Sequence, residues 1–225
     1  MKTKVFTKVF TLFISGVAVT LLCFITHNST ALADEEYTPE ISTEWTEITE
    51  EMYDPDGTFE YNGLTPSCSN YPGTDPEFSF FAKGGSVNKL LIYFQGGGAC
   101  WFFNMCVVMA EYTYTKSVTT TTDSLENGYG IFNLDNPKNP FKNWSIVFVP
   151  YCTGDLHTGA NDADYLGVEI RHRGFDNFQA VMAWIKSKFA GPKQIFVTGS
   201  SAGGWATNWN TPFIVDAFPD SRVDF

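Results

Sequence analysis

The sequence is poor in basic residues. Only 14 lysines and arginines stand against 25 aspartates and glutamates among 225 residues, which gives a formal net charge of −11. A chain this acidic repels phosphate groups and releases no counterions from them, which excludes a nucleic-acid-binding protein. The content of 44% hydrophobic and 16% aromatic residues excludes wholesale disorder, because it is enough to build a core.

The sequence also lacks a long, unbroken apolar run. Its main one, residues 9–25, is 17 residues long, follows three lysines and precedes Ala31-Leu32-Ala33. A basic region, an apolar region and small residues in this order predict a secretory signal peptide at residues 1–33, and therefore an extracytoplasmic protein. A membrane anchor that stays uncleaved is the alternative, because the run reaches the lower limit for a membrane span.

Cysteine pairs with the C-x2-C spacing of zinc sites are absent. Cys68, Cys100, Cys106 and Cys152 remain after removal of the signal peptide. An even number of cysteines in a secreted chain predicts two disulfides, for which three pairings are open. The short separation of Cys100 and Cys106 suits a local loop, which leaves Cys68 and Cys152 as a long-range pair. We expect no metal ion and no cofactor.

The acidic residues are concentrated near the N-terminus. Residues 34–82 contain 13 acidic residues and no lysine or arginine, whereas residues 83–225 contain 12 acidic and 11 basic residues. We interpret residues 34–82 as an acidic, solvated segment and residues 83–225 as the part that carries the functional site.

From residue 89 the pattern alternates between strand and helix. Three short apolar runs have the character of buried strands: residues 89–94, 145–150 and 194–198. Apolar residues at helical spacing predict a helix over residues 174–190. Apolar strands alternating with a helix predict an α/β fold, a mostly parallel sheet flanked by helices. The loops after these strands should meet at the carboxyl edge, where such sheets bind ligands.

The strongest chemical signal is the G-x-S-x-G motif at residues 199–203, directly after a predicted strand. Its small residues allow a sharp turn that exposes Ser201 as a nucleophile, while the N–H of Ala202 points to the same spot. Gly97 and Gly98, after the first strand, could supply further N–H donors for an oxyanion. A Gly/Ser-rich turn that binds phosphate at a helix N-terminus is the alternative, although no lysine follows as in a P-loop.

Four separated blocks of the sequence resemble the pectin acetylesterase family, which includes plant pectin acetylesterases, the animal lipid deacylase Notum and bacterial secreted hydrolases. The blocks are residues 94–106, 150–155, 171–174 and 199–204. The resemblance implies an α/β-hydrolase fold and ester hydrolysis by a Ser-Asp-His triad. It places Ser201 at the nucleophile and Gly97, Gly98 and Ala202 at the oxyanion hole. It also places Cys100 and Cys106 at a cysteine pair of the family.

The resemblance breaks down at the histidine. The triad of α/β-hydrolases runs Ser, then Asp or Glu, then His, but no histidine follows Ser201. His157 follows a strand and could be a general base, a pocket residue or an ordinary loop residue, whereas His172 is expected to be structural. We take Asp155 and His157 as substrate-pocket candidates. We expect the chain to be an N-terminal fragment, truncated after the helix that follows Ser201.

These observations predict a secreted serine carboxylic-ester hydrolase whose partner is an acylated substrate, above all an acetylated polysaccharide such as pectin. Hydrolysis of lipid or polyhydroxyalkanoate esters is one alternative, because the many aromatic residues could line an acyl pocket. A non-catalytic binding protein on the same fold is another, because the general base is missing. If the 225 residues are complete, we expect negligible hydrolysis, since loss of the base costs a serine hydrolase about 10^4- to 10^6-fold in rate.

Overall fold

The structure, a computed structural model, describes residues 10–14, 17–21, 40–60, 63, 65–126 and 128–225. The chain divides into two units, Met1–Glu36 and Tyr37–Phe225. In the first unit, strands β1 (Phe10–Ile14) and β2 (Val17–Leu21) form an antiparallel hairpin. The predicted cleavage site at residue 33 and much of the predicted signal peptide lie outside the described residues. No helix in the described part of the chain combines the length and the apolar character needed to cross a bilayer.

The second unit is built on a six-stranded sheet. Its strands are β3 (Thr46–Ile48), β4 (Phe80–Lys83), β5 (Lys89–Phe94), β6 (Ser145–Val149), β9 (Gln194–Gly199) and β10 (Arg222–Asp224). They lie in the order β10-β9-β5-β6-β4-β3, with parallel pairing from β10 to β6 and antiparallel pairing of β4 and β3. The predicted α/β fold with a mostly parallel sheet is confirmed.

Helices and a second hairpin complete the unit. The α-helices are α1 (Glu50–Tyr53), α2 (Ala110–Thr113), α3 (Thr122–Glu126), α4 (Gly174–Lys188) and α5 (Ala202–Ala217). A π-helical turn spans Asn104–Val108, a 3-10 turn spans Gly130–Phe132, and β7 (Asn161–Tyr165) pairs antiparallel with β8 (Val168–His172). The three predicted strands and the predicted helix all form, within two residues of their predicted ends.

The sheet is buried on both faces, and β5 shows this most clearly. Leu90 and Ile92 belong to the cluster that contains the apolar side of α4, whereas Leu91 and Tyr93 pack in a second cluster with Trp45. Alternate residues of a strand point to opposite faces, so the two clusters cover opposite sides of the sheet. This double coverage explains why the sequence of β5 is an uninterrupted apolar run.

The interpretation of residues 34–82 as a solvated segment is wrong for much of its length. The segment supplies β3 and most of β4, and the side chains of Trp45, Ile48 and Phe80 are buried. The boundary placed after residue 82 falls inside β4. The acidic residues mask this because they stand between buried apolar residues: Trp45 and Ile48 pack in the clusters on opposite faces of the sheet, while Glu47 between them stays exposed.

Both predicted disulfides are present. Cys68 is bonded to Cys152 across 84 residues of sequence, and Cys100 is bonded to Cys106 across 6. The longer bond joins the segment before β4 to the end of β6. The backbone adds to this link, because the N–H of Ser69 donates to the carbonyl of Cys152.

Asp176, in the first turn of α4, predicts an unusual pH dependence of stability. Its carboxylate is fully buried and has no hydrogen-bond partner among the described residues. Burial is the main cause that raises its pKa from 3.8 to about 7, against the attraction of Arg173. The folded protein keeps this proton where the unfolded chain has lost it, so stability falls as pH rises from about 4 to 7 and stays low above that window.

We therefore expect Asp176→Asn to stabilise the protein at pH 8 and to leave its stability at pH 4 nearly unchanged. The pKa rise sets an upper limit of about 4 kcal/mol, and screening of the carboxylate charge by solvent reduces the expected gain to about 2 kcal/mol. Urea unfolding at both pH values measures the effect, with the exposed Asp216→Asn as control. An equal effect of Asp176→Asn at both pH values would contradict the account.

Candidate active site

The sheet topology creates a crevice at the carboxyl ends of β5 and β9. These strands are neighbours, but the chain leaves β5 for β6 on one side and leaves β9 for β10 on the other. Such a reversal of direction marks the ligand-binding crevice of an open α/β sheet. Phe94, the last residue of β5, pairs in register with Gly199, the last residue of β9. The loop at residues 95–98 and the turn at residues 200–201 therefore leave the sheet side by side.

Ser201 occupies a strained turn between β9 and α5. Its backbone has φ 51° and ψ −117°, an uncommon conformation for any residue other than glycine. Such a conformation costs about 1 to 3 kcal/mol and is concentrated at functional sites. The side chain is exposed. A strained, exposed serine at a strand-to-helix turn is the arrangement expected of the nucleophile in a G-x-S-x-G motif.

The two flanking glycines of the motif are required by close backbone packing. A Cβ atom on Gly203 would overlap the carbonyl of Phe94, and one on Gly199 would overlap the backbone of Gly203. The helix α5 therefore starts in direct contact with the end of β5. This contact fixes the position of Ser201 relative to the loop that follows β5.

The glycine loop at residues 96–98 packs against this turn. A Cβ atom on Gly96 would lie 2.9 Å from the Cβ of Ser201, and the Gly96 N–H donates to Ser200 Oγ at 3.3 Å. Gly98 has φ 84°, a conformation that favours glycine. Within the described residues, the N–H groups of Gly97, Gly98 and Ala202 donate to no protein acceptor. They remain available to a ligand, as their predicted role as oxyanion donors requires.

Gln95, a residue not predicted to belong to the site, holds the start of the glycine loop. Its N–H donates to the carbonyl of Val149, and its side chain accepts from the N–H of Tyr151 and donates to Thr120 Oγ1, all within 2.9–3.1 Å. Its carbonyl lies 2.9 Å from His157 Nε2. These contacts tie the loop to β6 and to the segment after it. Its position as a polar residue between an apolar strand and three glycines could have indicated this role.

His157 lies beneath the glycine loop and not in an open pocket. It is 1% exposed, and its ring packs against the rings of Phe94 and Tyr151, with centroids 5.3 and 4.7 Å away. Burial lowers the pKa of His157, so the ring is neutral near pH 7. A neutral ring whose Nε2 faces a carbonyl carries its proton on that nitrogen. His157 thus donates to Gln95 and supports the loop from below.

Asp155 organises the loop around His157. Its carboxylate accepts from Thr153 Oγ1 at 2.6 Å and from the N–H groups of His157, Gly159 and Gly174 at 2.7–3.1 Å. Gly174 is the first residue of α4, so this negative charge also lies at a helix N-terminus, where it is stabilising. All four hydrogen bonds come from groups of the protein itself, so in the described structure Asp155 holds the loop in shape and does not face a pocket.

His172 is also held by other groups. Its Nδ1 lies 2.8 Å from the carbonyl of Thr153, and its Nε2 lies 3.0 Å from the hydroxyl of Tyr165. With both nitrogens engaged, His172 braces the β7–β8 hairpin, in keeping with the structural role expected for it. Neither His157 nor His172 is hydrogen-bonded to Ser201, so the described residues provide Ser201 with no histidine base.

Two further features do not include Ser201. Cys100, Cys106 and His172 are the one group of metal-ligating side chains found close together in the described residues, but both sulfurs are in a disulfide and offer no thiolate. A cavity of about 560 Å³ lies beside β3 and α1. Its acidic lining residues are Glu47, Glu50, Glu51, Asp75 and Glu77. The cavity does not include the glycine loop or Ser201, and the acidic groups do not form a metal-binding cluster.

Comparison with known proteins covers most of the second unit. The pectinacetylesterase family profile matches residues 67–224. Pectin acetylesterase 4 of Arabidopsis thaliana is 28% identical over 151 residues, which are 65% of this chain and 36% of that protein. Pectin acetylesterase 11 of the same plant is 30% identical over 60% of this chain and 34% of its own length.

An animal protein matches as well. Human palmitoleoyl-protein carboxylesterase NOTUM is 28% identical over 125 residues, which are 52% of this chain and 24% of the human protein. The chain therefore spans about a third of the length of the plant relatives and about a quarter of the human relative.

Proposed function

The chain belongs to the pectinacetylesterase family, and from that premise we propose that the protein is a secreted serine esterase that removes acetyl groups from a polysaccharide such as pectin. The observation that carries this proposal is the strained, exposed Ser201 in contact with a loop of glycines. The two disulfides support secretion, because disulfides persist in oxidising compartments.

The proposed reaction begins with attack of Ser201 Oγ on the acyl carbonyl carbon. The carbonyl oxygen becomes an oxyanion, which the N–H groups of Gly97, Gly98 and Ala202 would stabilise, each by about 2.7 to 4 kcal/mol. The sugar hydroxyl leaves with a proton, and water then hydrolyses the acyl-enzyme to release acetate. The family triad predicts that an aspartate and a histidine downstream of Ser201 hold and transfer these protons.

One observation favours a second candidate function, the hydrolysis of longer acyl esters. The human relative is named as a palmitoleoyl-protein carboxylesterase, and its identity to this chain equals that of the plant relative pectin acetylesterase 4. The two functions differ in the acyl group that must fit next to Ser201.

The test compares acyl groups in the complete gene product. We expect acetate release from acetylated pectin and rapid hydrolysis of p-nitrophenyl acetate, with p-nitrophenyl palmitate cleaved far more slowly. The ratio of kcat/KM between the two nitrophenyl esters decides between the functions, because it reports differential binding of the acyl chain in the transition state. A preference for palmitate would favour the second function, and no turnover of any of the three would contradict both.

The contact between His157 and Gln95 predicts a defect in turnover. His157→Phe keeps an aromatic ring between Phe94 and Tyr151 but leaves the Gln95 carbonyl unpaired, at a cost of about 1 to 3 kcal/mol. If the glycine loop shifts as a result, kcat for p-nitrophenyl acetate should fall about tenfold or more while KM changes little, because the loop acts on the transition state.

The matched control for this positioning role is His172→Phe, which also removes two hydrogen bonds of a histidine, to Tyr165 and Thr153, but none to the glycine loop. We expect it to lower the melting temperature without lowering the kcat of the folded protein. Equal losses of kcat in both variants would show that His157 has only a general structural effect.

A further inference from the structure

Residues 99–113 form an arm, named here the aromatic arm, that begins and ends at the glycine loop. The N–H of Ala99 donates to the carbonyl of Thr113 at 2.8 Å, and Gly98 pairs with Tyr114 in an isolated antiparallel bridge. The carbonyl of Gly97 accepts from the N–H of Thr115 at 3.0 Å. Both ends of the arm are therefore fixed directly beside the proposed oxyanion donors.

A disulfide and hydrogen bonds hold the aromatic arm in one shape. The Cys100–Cys106 disulfide closes its first part, and the Cys100 N–H donates to the carbonyl of Gly154 at 2.8 Å. Thr113 Oγ1 donates to the carbonyl of Met105 at 2.6 Å, across the π-helical turn. A surface held this firmly loses little conformational entropy when a ligand binds.

The outer surface of the aromatic arm is apolar. Its exposed large side chains, with their exposed fractions, are Trp101 (69%), Phe102 (45%), Val108 (65%), Met109 (50%) and Tyr112 (87%). Clustered exposed apolar side chains on a soluble protein mark binding surfaces. Trp101 follows Ala99 by two residues and Tyr112 precedes Thr113 by one, so both residues lie close to the base of the arm, where Ala99 and Thr113 are hydrogen-bonded. With 3.8 Å between successive Cα atoms, the Trp101 Cα lies within about 11 Å of the Gly98 Cα.

We propose that Trp101 and Tyr112 form a platform on which sugar rings of the polysaccharide substrate stack, so that an acetyl ester reaches Gly98 and Ser201. The inference rests on the proposed function and specifies how its substrate is held. Trp and Tyr combine a flat apolar face with a polar N–H or O–H group. A sugar ring presents the matching surfaces, an apolar C–H face and an edge of hydroxyl groups.

The charge of the aromatic arm argues against a lipid surface as its ligand. Segments that bind lipid surfaces carry lysine and arginine on their polar side, whereas residues 99–113 contain neither. Glu111 is the charged residue of the arm, and it pairs with Lys116 just beyond it. The arm therefore has no basic residue to bind anionic headgroups, whereas stacking of an aromatic ring on the C–H face of a sugar needs none.

The test is the double variant Trp101→Ala/Tyr112→Ala in the complete gene product. Affinity electrophoresis through gels that contain acetylated pectin should show retardation of the wild-type protein and loss of that retardation in the variant. The kcat/KM for acetate release from the polymer should fall about tenfold more than the kcat/KM for p-nitrophenyl acetate, which is too small to span the platform. The control is Tyr129→Ala, whose ring is similarly exposed at 91% but lies outside the arm; it should keep wild-type retardation.

The proposal would be overturned if acetylated pectin did not retard the wild-type protein, or if it retarded the double variant as strongly as the wild type. Equal losses of kcat/KM on the polymer and on the small ester would also overturn it. Pelleting with phosphatidylcholine vesicles that depends on Trp101 and Tyr112 would also overturn it, in favour of a lipid surface. Failure of the esterase proposal is seen separately, because retardation in the gel needs no hydrolysis. The melting temperatures of the variants show whether each has folded.

Discussion

Ser201→Ala is expected to lower the rate of p-nitrophenyl acetate hydrolysis by the complete gene product about 10^4- to 10^6-fold. The substitution removes the attacking oxygen and leaves the backbone donors of the glycine loop in place. Residual turnover should therefore stay above the rate in water. Initial rates at saturating substrate, with active-site titration by a fluorophosphonate probe, measure the effect. The probe should label the wild-type protein and not the variant.

The adjacent serine provides a matched control. Ser200 is exposed like Ser201, but its Oγ accepts a hydrogen bond from the Gly96 N–H. Ser200→Ala removes one contact worth about 1 kcal/mol, so its rate should fall less than about tenfold. If Ser200→Ala were the inactive variant, or if both retained full activity, the assignment of Ser201 as nucleophile would be wrong.

Loss of the Cys68–Cys152 disulfide is expected to have the largest effect on stability. The bond closes a loop of 84 residues, and the chain-entropy relation gives about 4.6 kcal/mol for a loop of that length. The Cys100–Cys106 bond spans 6 residues and should contribute about 2 kcal/mol. Urea unfolding of the two double Cys→Ala variants under oxidising conditions measures both contributions.

The two disulfides should also differ in what else they affect. The longer bond links Cys68, which precedes β4, to Cys152, which follows β6. Its loss should therefore weaken the whole second unit. The shorter bond holds the aromatic arm, so its loss should mainly reduce retention by acetylated pectin. A larger drop in unfolding free energy from the shorter bond would contradict this division.

The sequence predicted those parts of the site that follow from short segments. The apolar runs of β5, β6 and β9 and the turn around Ser201 are local features, because strand burial and a sharp glycine turn each need only a few consecutive residues. The order of Gly97, Gly98 and Ser201 along the chain then placed them at one edge of the sheet. The structure brings the two loops together as expected.

The support beneath the glycine loop could not be predicted in the same way. The contact between His157 and Gln95 joins residues 62 positions apart and depends on left-handed backbone conformations at Leu156 and His157. Neither residue type indicates such a conformation. The position of His157 after a strand predicts a place near the site for it, and Asp155 is a pocket candidate beside it, but the sequence does not show that both side chains bond inward.

The acidic residues near the N-terminus also made β3, at the other edge of the sheet, difficult to predict. β3 forms one edge of the six-stranded sheet, and an edge strand exposes unpaired backbone groups to any other chain. Glu44, Glu47, Glu50 and Glu51 lie within or beside this strand. A second copy that paired edge to edge would bring these carboxylates together, at a cost in repulsion. The acidic bias of the N-terminal segment thereby acts as protection against aggregation of the protein.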